Sequence, residues 1–332
     1  MPKFSFVLPV KDGGDYLKEC VASILAQTHT DFTLHILDNN SKDSSLNSII
    51  DLNDSRIEIL KSDKSLTIEE NWSRILSLKK NEFMVLTGHD DLFYPDYLEK
   101  FNQLIEVNNG ASLYLSHFNI IDSNGSISRR SHLMPNRLTV EGFTEAILMG
   151  DIDIVGTGYM MRSKDYDACG GIPIYPNLLY SDYVLWIRLV SKKYLAVLDD
   201  CLFAFRVHDS TTTKSSDKVM LTSFSKFVCF LSELRSFSPL LNNVITENAS
   251  YFFYRQCKGM SHRLLRTELV NRDNLRVKSV VDIFISNAKT LDVYINPYRK
   301  IEILLAYIID SNSITRWLFL GLKRVYPRPL FK

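Results

Sequence analysis

Residues 3–38 read KFSFVLPVKDGGDYLKECVASILAQTHTDFTLHILD, and this stretch decides the fold class. The apolar run Lys3–Val10 predicts a short buried strand, and Phe32–Leu37 predicts a second one. Between the two strands, apolar residues from Leu17 to Leu25 repeat at the spacing of one helix face. A strand, a helix and a second strand in such close succession indicate a parallel β-α-β unit.

The same alternation continues as far as residue 91. Arg56–Leu60 predicts a third strand, a helix follows around Trp72, and Glu82–Thr87 predicts a fourth strand. This order implies an α/β fold with a mostly parallel central sheet and helices on both faces. In such sheets, ligands bind beyond the carboxyl ends of the strands. The four ends carry Pro9-Val10, Asp38-Asn39-Asn40, Lys61 and Gly88-His89-Asp90-Asp91. Further along the chain, Gly156–Arg162 predicts another strand and Leu195–Arg206 predicts a late pair of strands.

The net charge of +1 hides a difference between two parts of the 332-residue chain. Residues 1–214 contain 21 Lys and Arg against 29 Asp and Glu, whereas residues 215–332 contain 18 against 9. After Ser215-Ser216 the pattern becomes helical to the end of the sequence. We therefore predict an α/β domain over 1–214 and a basic helical region over 215–332. The small net charge gives no indication of a nucleic-acid partner.

The five cysteines are odd in number, widely spaced and without a CxxC pair, which is typical of a reducing compartment. The N-terminal residues lack the apolar core of a signal peptide. The sequence contains no run of about 18 apolar residues, so we do not predict a membrane-spanning helix. These features together predict a cytoplasmic location.

Adjacent carboxylates at a strand end, as in Asp90-Asp91, repel each other unless a cation neutralises them. A hard divalent ion with oxygen ligands meets that need and commonly bridges carboxylates to substrate phosphates. The alternative is a solvated turn in which one aspartate caps the helix that begins near Pro95.

Three further polar residues each have a functional and a structural interpretation. Asp38 could accept the imide N–H of a pyrimidine base, or form an Asx turn. Asp182, at the start of a helix, could take the proton of an attacking hydroxyl, or stabilise the helix N-terminus. His208, just past a strand, could bind a metal or a phosphate, or be a surface histidine.

The ordered set of motifs resembles that of the family 2 glycosyltransferases, the large inverting group with a GT-A fold. The match covers about residues 3–212. The motifs that carry it are Phe6-Val7-Leu8-Pro9-Val10, Ser23-Ile24-Leu25-Ala26-Gln27-Thr28, Leu37-Asp38-Asn39-Asn40-Ser41-Lys42-Asp43, Gly88-His89-Asp90-Asp91 with Pro95, Gly170-Gly171, Ser181-Asp182-Tyr183-Val184-Leu185-Trp186-Ile187-Arg188 and Phe205-Arg206-Val207-His208.

The resemblance implies a role for each matching position. Asp90 matches the metal-binding carboxylate of the family's DxD-type motif, with Asp91 beside it as a ligand or a support. Asp182 matches the catalytic base, and His208 matches a histidine that helps to bind the metal or the diphosphate. The residues expected to contact the nucleotide are Pro9, Val10, Asp38, Asn40, Lys64, Asn71 and His89.

Gly88 departs from the family pattern, because many members have Asp at this first motif position. Contacts of that aspartate with the ribose or the metal would have to come from His89, water or elsewhere. The other matching residues, Asp90, Asp91, Asp182 and His208, are all present.

The resemblance implies a single displacement that inverts configuration, with Asp182 as general base and Mn²⁺ or Mg²⁺ as cofactor. The expected donor is a UDP- or dTDP-sugar, and the expected acceptor is a saccharide or a lipid-linked oligosaccharide of a bacterial surface polysaccharide, such as capsule or O-antigen. The alternatives are a sugar nucleotidyltransferase and a non-catalytic nucleotide-sugar-binding protein.

The last helical stretch, Ile314–Val325, carries Trp317 and several aliphatic residues beside Arg316, Lys323 and Arg324. An apolar face flanked by cations suits an interfacial helix on an anionic leaflet. This interpretation predicts a peripheral position on the inner face of the cell membrane. The alternative is a helical bundle whose cations form its solvated face.

Overall fold

A computed structural model describes residues 3–208 and 215–325, with the backbone alone for 323–325. The described residues form two compact units. The first contains residues 3–147 and 151–208, and the second contains 148–150 and 215–325. The predicted boundary at 214 falls outside the described residues and stays a prediction.

The first unit contains one mixed sheet, in which most strands point the same way. Its strands are β1 (Phe4–Val10), β2 (Phe32–Asp38), β3 (Ile57–Lys61), β4 (Phe83–Leu86), β5 (Leu92–Phe93), β6 (Leu113–Ile121), β7 (Ile127–Arg130), β8 (Arg137–Leu138), β9 (Met160–Arg162) and β10 (Leu195–Arg206). The order is β3-β2-β1-β4-β9-β6-β10-β5, with β7 beside β6 and β8 beside β10. β1 to β4 pair in parallel, as do β6 and β10, whereas β9 and β5 run antiparallel to their neighbours.

Seven helices accompany this sheet. They are α1 (Gly14–Leu25), α2 (Ser45–Ile50), α3 (Ile68–Ser73), α4 (Tyr97–Val107), α5 (Val140–Met149), α6 (Ser163–Ala168) and α7 (Ser181–Val190). Short 3₁₀ turns cover Arg74–Ser77 and Pro176–Leu178. All seven residues of β1 are buried, as a central strand covered on both faces requires. The predicted α/β class with its β-α alternation is confirmed.

Two predicted elements differ from the structure. The strand expected over Gly156–Arg162 is confined to β9, and the residues before it form a loop. The strand pair expected over Leu195–Arg206 is the single strand β10. Asp199 and Asp200, which suggest a turn, are exposed where the register of β10 against β6 shifts, so an irregularity accommodates them within one strand.

The second unit is helical. Its helices are α8 (Asp217–Leu234), α9 (Pro239–Arg266), α10 (Val277–Thr290), α11 (Ile301–Ser311) and α12 (Ser313–Val325), with 3₁₀ turns at Leu269–Asn271 and Pro297–Arg299. Ser216 and Ser238 cap α8 and α9 through their hydroxyl groups. The ring of Phe224 stacks on those of Phe252 and Phe284, and the three form part of its core.

Helix α12 has an unusual distribution of side chains. Trp317 and Leu318 are 72% and 56% exposed, whereas Arg316 is 5% exposed. The prediction that Arg316 flanks the apolar face as a surface cation is therefore wrong, because its guanidinium group points inward and donates to the carbonyl of Thr267. The side chains of Lys323, Arg324 and Val325 lie outside the described residues.

No single helix among residues 3–208 and 215–325 is long and apolar enough to cross a membrane. Ile301–Ser311 and Ser313–Leu322 meet the length and composition requirements only as a pair, and the pair is bent by 115°.

Candidate active site

The loops after β1 and β2 are joined to each other at the carboxyl end of the sheet. Asp12 Oδ1 accepts from the backbone N–H of Lys42 at 2.6 Å, and its own N–H donates to Ser41 Oγ at 3.0 Å. Asp43 Oδ2 accepts from the N–H of Gly14 at 2.9 Å. Asp12 and Gly14 have positive φ angles of 51° and 56°, so the turn is tight. These contacts hold the loops after the two strands against each other.

Asp38 and Val10 are direct neighbours across the parallel pair β1–β2, as are Leu37 and Pro9. Asp38 is 3% exposed, and its Oδ1 accepts from the N–H of Ser41 at 3.0 Å. The structure thus places three of the residues expected to hold the base (Pro9, Val10 and Asp38) side by side.

Arg74 supports this pair of strand ends and was not singled out by the sequence. Its Nη1 donates to the carbonyl of Asp38 at 3.0 Å and to Asn71 Oδ1 at 2.8 Å. Asn71 is buried, and its Nδ2 donates to the carbonyl of Leu37 at 3.2 Å. Asn71 therefore supports the pocket by holding the end of β2 in place.

The remaining predicted nucleotide contacts lie around the same strand ends. Asn40 follows Asp38 with a positive φ of 53°, and its Oδ1 accepts from Lys42 Nζ at 2.7 Å. The side chain of Lys64 is exposed. His89 is half-buried, and burial lowers its pKa, against the opposing effect of Asp90. A neutral imidazole at His89 can still donate one hydrogen bond to a polar ligand.

Asp91 is held inside the protein by hydrogen bonds to both carboxylate oxygens. Thr157 Oγ1 donates to Oδ2 at 2.6 Å, and the N–H of Arg206 donates to Oδ1 at 3.2 Å. Burial raises the pKa of Asp91 to about 8, and the neighbouring Asp90 adds to this shift. The geometry favours the supporting role over the ligand role for this residue.

Asp90 and His208 form a more open pair. Asp90 Oδ2 lies 2.7 Å from His208 Nε2, and the two side chains are 21% and 18% exposed. Arg206 fixes this arrangement, because its Nε donates to the carbonyl of Asp90 at 2.8 Å and its Nη2 donates to Glu19 Oε2 at 2.7 Å. The side chain of Arg206 is 1% exposed, so it acts as an internal clamp.

The predicted metal residues Asp90, Asp91 and His208 do not form a closed ligand set. In the part of the chain that the structure describes, no group of three or more His, Cys, Asp or Glu side chains could hold a metal ion. One carboxylate oxygen and one imidazole nitrogen nevertheless converge at Asp90 and His208. Such a pair fits a cation that takes its other ligands from a diphosphate.

The structure gives a steric reason for a glycine at position 88. A Cβ at this position would lie 2.7 Å from Asp90 Oδ1 and 2.8 Å from Asp91 Oδ2. Both carboxylates are fixed by the hydrogen bonds described above, so a side chain could enter only by displacing them. The aspartate that many family members carry here would not fit the present arrangement.

Asp182 lies in the first turn of α7. It is partly buried, and its Oδ1 accepts from the N–H of Tyr183 at 2.9 Å. Burial raises the pKa of Asp182 to about 6. A carboxylate with such a pKa is a better proton acceptor than an ordinary aspartate, while still ionised at neutral pH.

Residues 155–159 connect Asp182 to the Asp90–Asp91 loop. A Cβ on Gly156 would lie 4.0 Å from Asp182 Oδ2, and the next residue is Thr157, which binds Asp91. Trp186 Nε1 donates to the carbonyl of Val155 at 2.9 Å and holds α7 against this segment. The structure therefore brings Asp90, Asp91, Asp182 and His208 into one neighbourhood.

Two of the residues that assemble this neighbourhood, Thr157 and Arg206, were not assigned a role by the sequence. Arg206 stands in the motif Phe205-Arg206-Val207-His208, so its position beside His208 was a usable signal. Thr157 lies in a stretch that reads as a strand and carries no such signal.

The central mixed sheet flanked by helices, with polar loops at the carboxyl ends of its strands, is a GT-A-like α/β fold. A family model described as glycosyl transferase family 2 matches residues 5–170, which is half of the chain. The chain belongs to this family. The family, the fold and the enzyme class expected from the sequence are confirmed.

Curated relatives are similar at low identity. An uncharacterized glycosyltransferase of Rickettsia typhi is 22% identical over 223 residues, covering 65% of this chain and 67% of the relative. One from Rickettsia felis is 22% identical over 323 residues, and the match spans 89% of this chain but only 52% of that relative. Escherichia coli WfgD, named UDP-Glc:alpha-D-GlcNAc-diphosphoundecaprenol beta-1,3-glucosyltransferase, is 19% identical over 214 residues, covering 64% of this chain and 80% of WfgD.

A solved structure is similar over almost the whole chain. Residues 1–349 of Staphylococcus aureus TarS, in complex with UDP-GlcNAc, superpose with a TM-score of 0.69 at 13% identity. The match covers 99% of this chain and 93% of that one. At this identity the likeness establishes the fold.

Proposed function

We propose that this protein is an inverting glycosyltransferase that moves a sugar from a nucleotide diphosphate to a hydroxyl group. One observation carries the proposal: the segment 155–159 lies beside Asp182 and, through Thr157, also holds the loop that bears Asp90. Asp182, which we assign as the proton acceptor, thereby lies in the same neighbourhood as Asp90 and His208, which we assign to the diphosphate. Val10 ends the strand next to β4, and Asp38 ends the strand after that, so these two residues lie about one and two strand spacings, roughly 5 and 10 Å, from the end of β4.

The chain's own residues account for a single displacement. The acceptor oxygen attacks the anomeric carbon, the bond from that carbon to the diphosphate oxygen breaks, and the electron pair leaves with the nucleotide diphosphate. Asp182 takes the acceptor's proton during this attack. Because the nucleophile and the leaving group are on opposite faces, the configuration inverts.

Asp90 and His208 are the residues that would hold a divalent cation, Mn²⁺ or Mg²⁺. Such an ion, when bound, offsets the negative charge that develops on the departing diphosphate. Arg206 holds the backbone of Asp90 in position, and Thr157 and the N–H of Arg206 hold the adjacent Asp91.

The names of two similar proteins support a UDP-sugar over a dTDP-sugar as donor. TarS was crystallised with UDP-GlcNAc, and WfgD is named for transfer from UDP-Glc to a diphosphoundecaprenol-linked sugar. We extend these names to the present chain as a proposal: a UDP-sugar donor, a saccharide or lipid-linked acceptor, and a role in a surface polysaccharide such as capsule or O-antigen.

A lipid-linked acceptor implies work at a cytoplasmic membrane face, and the second unit offers a suitable surface. Residues 215–332 carry a net charge of +9, which favours anionic lipids. Large apolar side chains are exposed along α11 and α12. They are Ile301, Leu304, Ile308, Ile314, Trp317, Leu318 and Leu322.

The variant Asp182→Asn tests the proposed base. It should bind UDP normally by calorimetry, while UDP-sugar turnover falls by about 10²–10⁴-fold because the proton acceptor is lost. The donor is first chosen by a thermal-shift screen of UDP- and dTDP-sugars with Mn²⁺, and turnover is followed as nucleotide release with a GlcNAc-diphospho-lipid acceptor.

Asp151→Asn provides the matched control, because Asp151 is an exposed aspartate of the same unit. It should retain full turnover. Near-normal turnover of Asp182→Asn, or a product whose anomeric configuration is retained by NMR, would contradict the mechanism.

A further inference from the structure

The second unit contains a cluster of arginines around one carboxylate. Arg272 Nη1 donates to Asp310 Oδ1 at 2.6 Å, and the N–H of Val277 donates to Oδ2 at 2.8 Å. Arg276 Nη1 lies 3.9 Å from Oδ1 of the same aspartate. Arg316 packs nearby and, like Arg272, donates to the carbonyl of Thr267.

The charges of this cluster do not balance. Three guanidinium groups (Arg272, Arg276 and Arg316) lie around the single carboxylate of Asp310. Two of them, Arg272 and Arg316, are buried, so about one buried positive charge lacks a counter-charge, and the half-exposed Arg276 adds another beside it. Arg272 is 1% exposed and Arg316 is 5% exposed, so water does little to screen them. A buried charge without a partner is strongly unfavourable, and proteins normally pair it.

Several N–H groups of the cluster also lack acceptors. Nε and Nη1 of Arg316 and Nη2 of Arg272 are buried and have no hydrogen-bond partner among the described residues. Most buried polar groups of proteins are paired, so these three indicate a missing acceptor. Burial and the neighbouring Arg272 lower the pKa of Arg316, in line with an uncompensated positive charge.

A cavity of about 600 Å³ adjoins the cluster. Arg276 and Arg316 contribute positive charge to its wall, and Ser279 and Tyr307 contribute hydroxyl groups. Lys278 also lines the cavity, but its charge is offset by Asp282, whose Oδ2 lies 2.8 Å from Lys278 Nζ. Asp310 also lines it, but Arg272 and the N–H of Val277 already occupy its oxygens. The volume lies within the range of small-molecule sites, about 300–1,000 Å³, and exceeds the needs of a lone ion.

We propose that this cavity binds a phosphate group carried by an organic molecule, with Arg276 and Arg316 as its principal contacts. A guanidinium group can donate two parallel hydrogen bonds to phosphate oxygens. A bound phosphate dianion would also neutralise the positive charge that Asp310 does not compensate. The site lies wholly within the second unit and uses none of the residues assigned to sugar transfer. The phosphate could belong to a lipid headgroup or to a soluble phosphate ester.

The experiment uses the full chain without divalent cation and two probes. Glycerol 3-phosphate, titrated by calorimetry, represents the soluble source. Vesicles of phosphatidylcholine with phosphatidic acid, in a sedimentation assay, represent the lipid source. The variants are Arg316→Gln and Arg276→Gln, and Arg299→Gln is the control, since Arg299 is an exposed arginine of the same unit.

We expect each site variant to weaken at least one probe by about tenfold or more, as for the loss of a charge-assisted hydrogen bond. Arg299→Gln should leave both affinities within about twofold. Loss with glycerol 3-phosphate assigns a soluble ester, and loss with vesicles alone assigns a lipid headgroup.

Arg276 is half-exposed, so Arg276→Gln decides the matter if Arg316→Gln does not fold. The proposal is overturned if neither probe binds the wild-type chain, or if Arg276→Gln binds both probes as the control does.

Discussion

The ionisation of Asp182 sets the expected pH dependence of transfer. Burial raises the pKa of this carboxylate to about 6, so the proton acceptor is charged above that pH and neutral below it. We expect kcat/KM to fall about tenfold per pH unit below pH 6. A profile from pH 4.5 to 8 measures this, and the residual activity of Asp182→Asn should show no such limb. A wild-type profile that stays flat down to pH 5 would argue against Asp182 as the base.

The raised pKa of Asp182 affects folding stability in the opposite direction: activity should increase as the pH rises through about 6, whereas the contribution of Asp182 to stability decreases. A carboxyl group whose pKa is raised by folding favours the folded state most below its unfolded value, about 4. That contribution of Asp182 is lost as the pH rises through about 6. The site therefore gains a more basic carboxylate at the expense of some stability at neutral pH.

Gly88→Ala tests the packing beside Asp90 and Asp91. The added Cβ would meet both carboxylates at less than 3 Å. We expect the free energy of unfolding in urea to fall by about 1–3 kcal/mol, as for overpacking. Mn²⁺-dependent UDP binding should weaken too, because Asp90 must move away from His208.

Gly259→Ala is the control for this glycine, because Gly259 lies in α9 with nothing within 4 Å of its Cβ position. Gly259→Ala should leave the free energy of unfolding unchanged or raise it by at most about 1 kcal/mol, because alanine has the higher helix propensity. If Gly88→Ala has the same free energy of unfolding and the same UDP affinity as the wild type, the steric reason given for this glycine is wrong.

At the scale of single elements, α12 exposes apolar side chains on one side and buries a charged one on the other. Trp317 and Leu318 face outward, whereas Arg316 faces the interior. The double variant Trp317→Ser/Leu318→Ser should weaken binding to phosphatidylglycerol vesicles by about tenfold or more, because two large apolar side chains no longer enter the interface. A vesicle sedimentation assay measures the change.

Phe237→Ser is the matched control, since Phe237 is 69% exposed in the same unit but lies between α8 and α9. It should bind vesicles like the wild type. Equal loss in the control and the double variant would mean that no particular face of α12 is involved. The double variant should keep its affinity for glycerol 3-phosphate, which separates the membrane proposal from the arginine site.

The sequence predicted the elements best where strands are fully buried. The continuous apolar runs of β1, β2 and β4 have no other stable placement than the middle of a covered sheet. The prediction failed where long-range pairing overrides local signals. β10 continues past Asp199 and Asp200 because its neighbour β6 supplies hydrogen bonds on either side of the irregularity.

For the whole molecule, the order of short motifs was enough to predict the family, because each motif marks one strand end of the same sheet. The supporting residues were not predictable in this way. Thr157, Arg206 and Arg74 act through partners 66, 116 and 36 positions away, and no local pattern encodes such contacts. The arginine cluster around Asp310 was hidden for the same reason, since its members come from the ends of different helices.

The segment 155–159 restricts how this enzyme could be re-engineered. It borders Asp182, the proposed base, on one side and carries the threonine that holds the Asp90–Asp91 loop on the other. If these five positions were randomised to change acceptor specificity, the same substitutions would also disturb donor binding. Diversity is better placed on loops that touch neither carboxylate, with Gly156 and Thr157 left as they are.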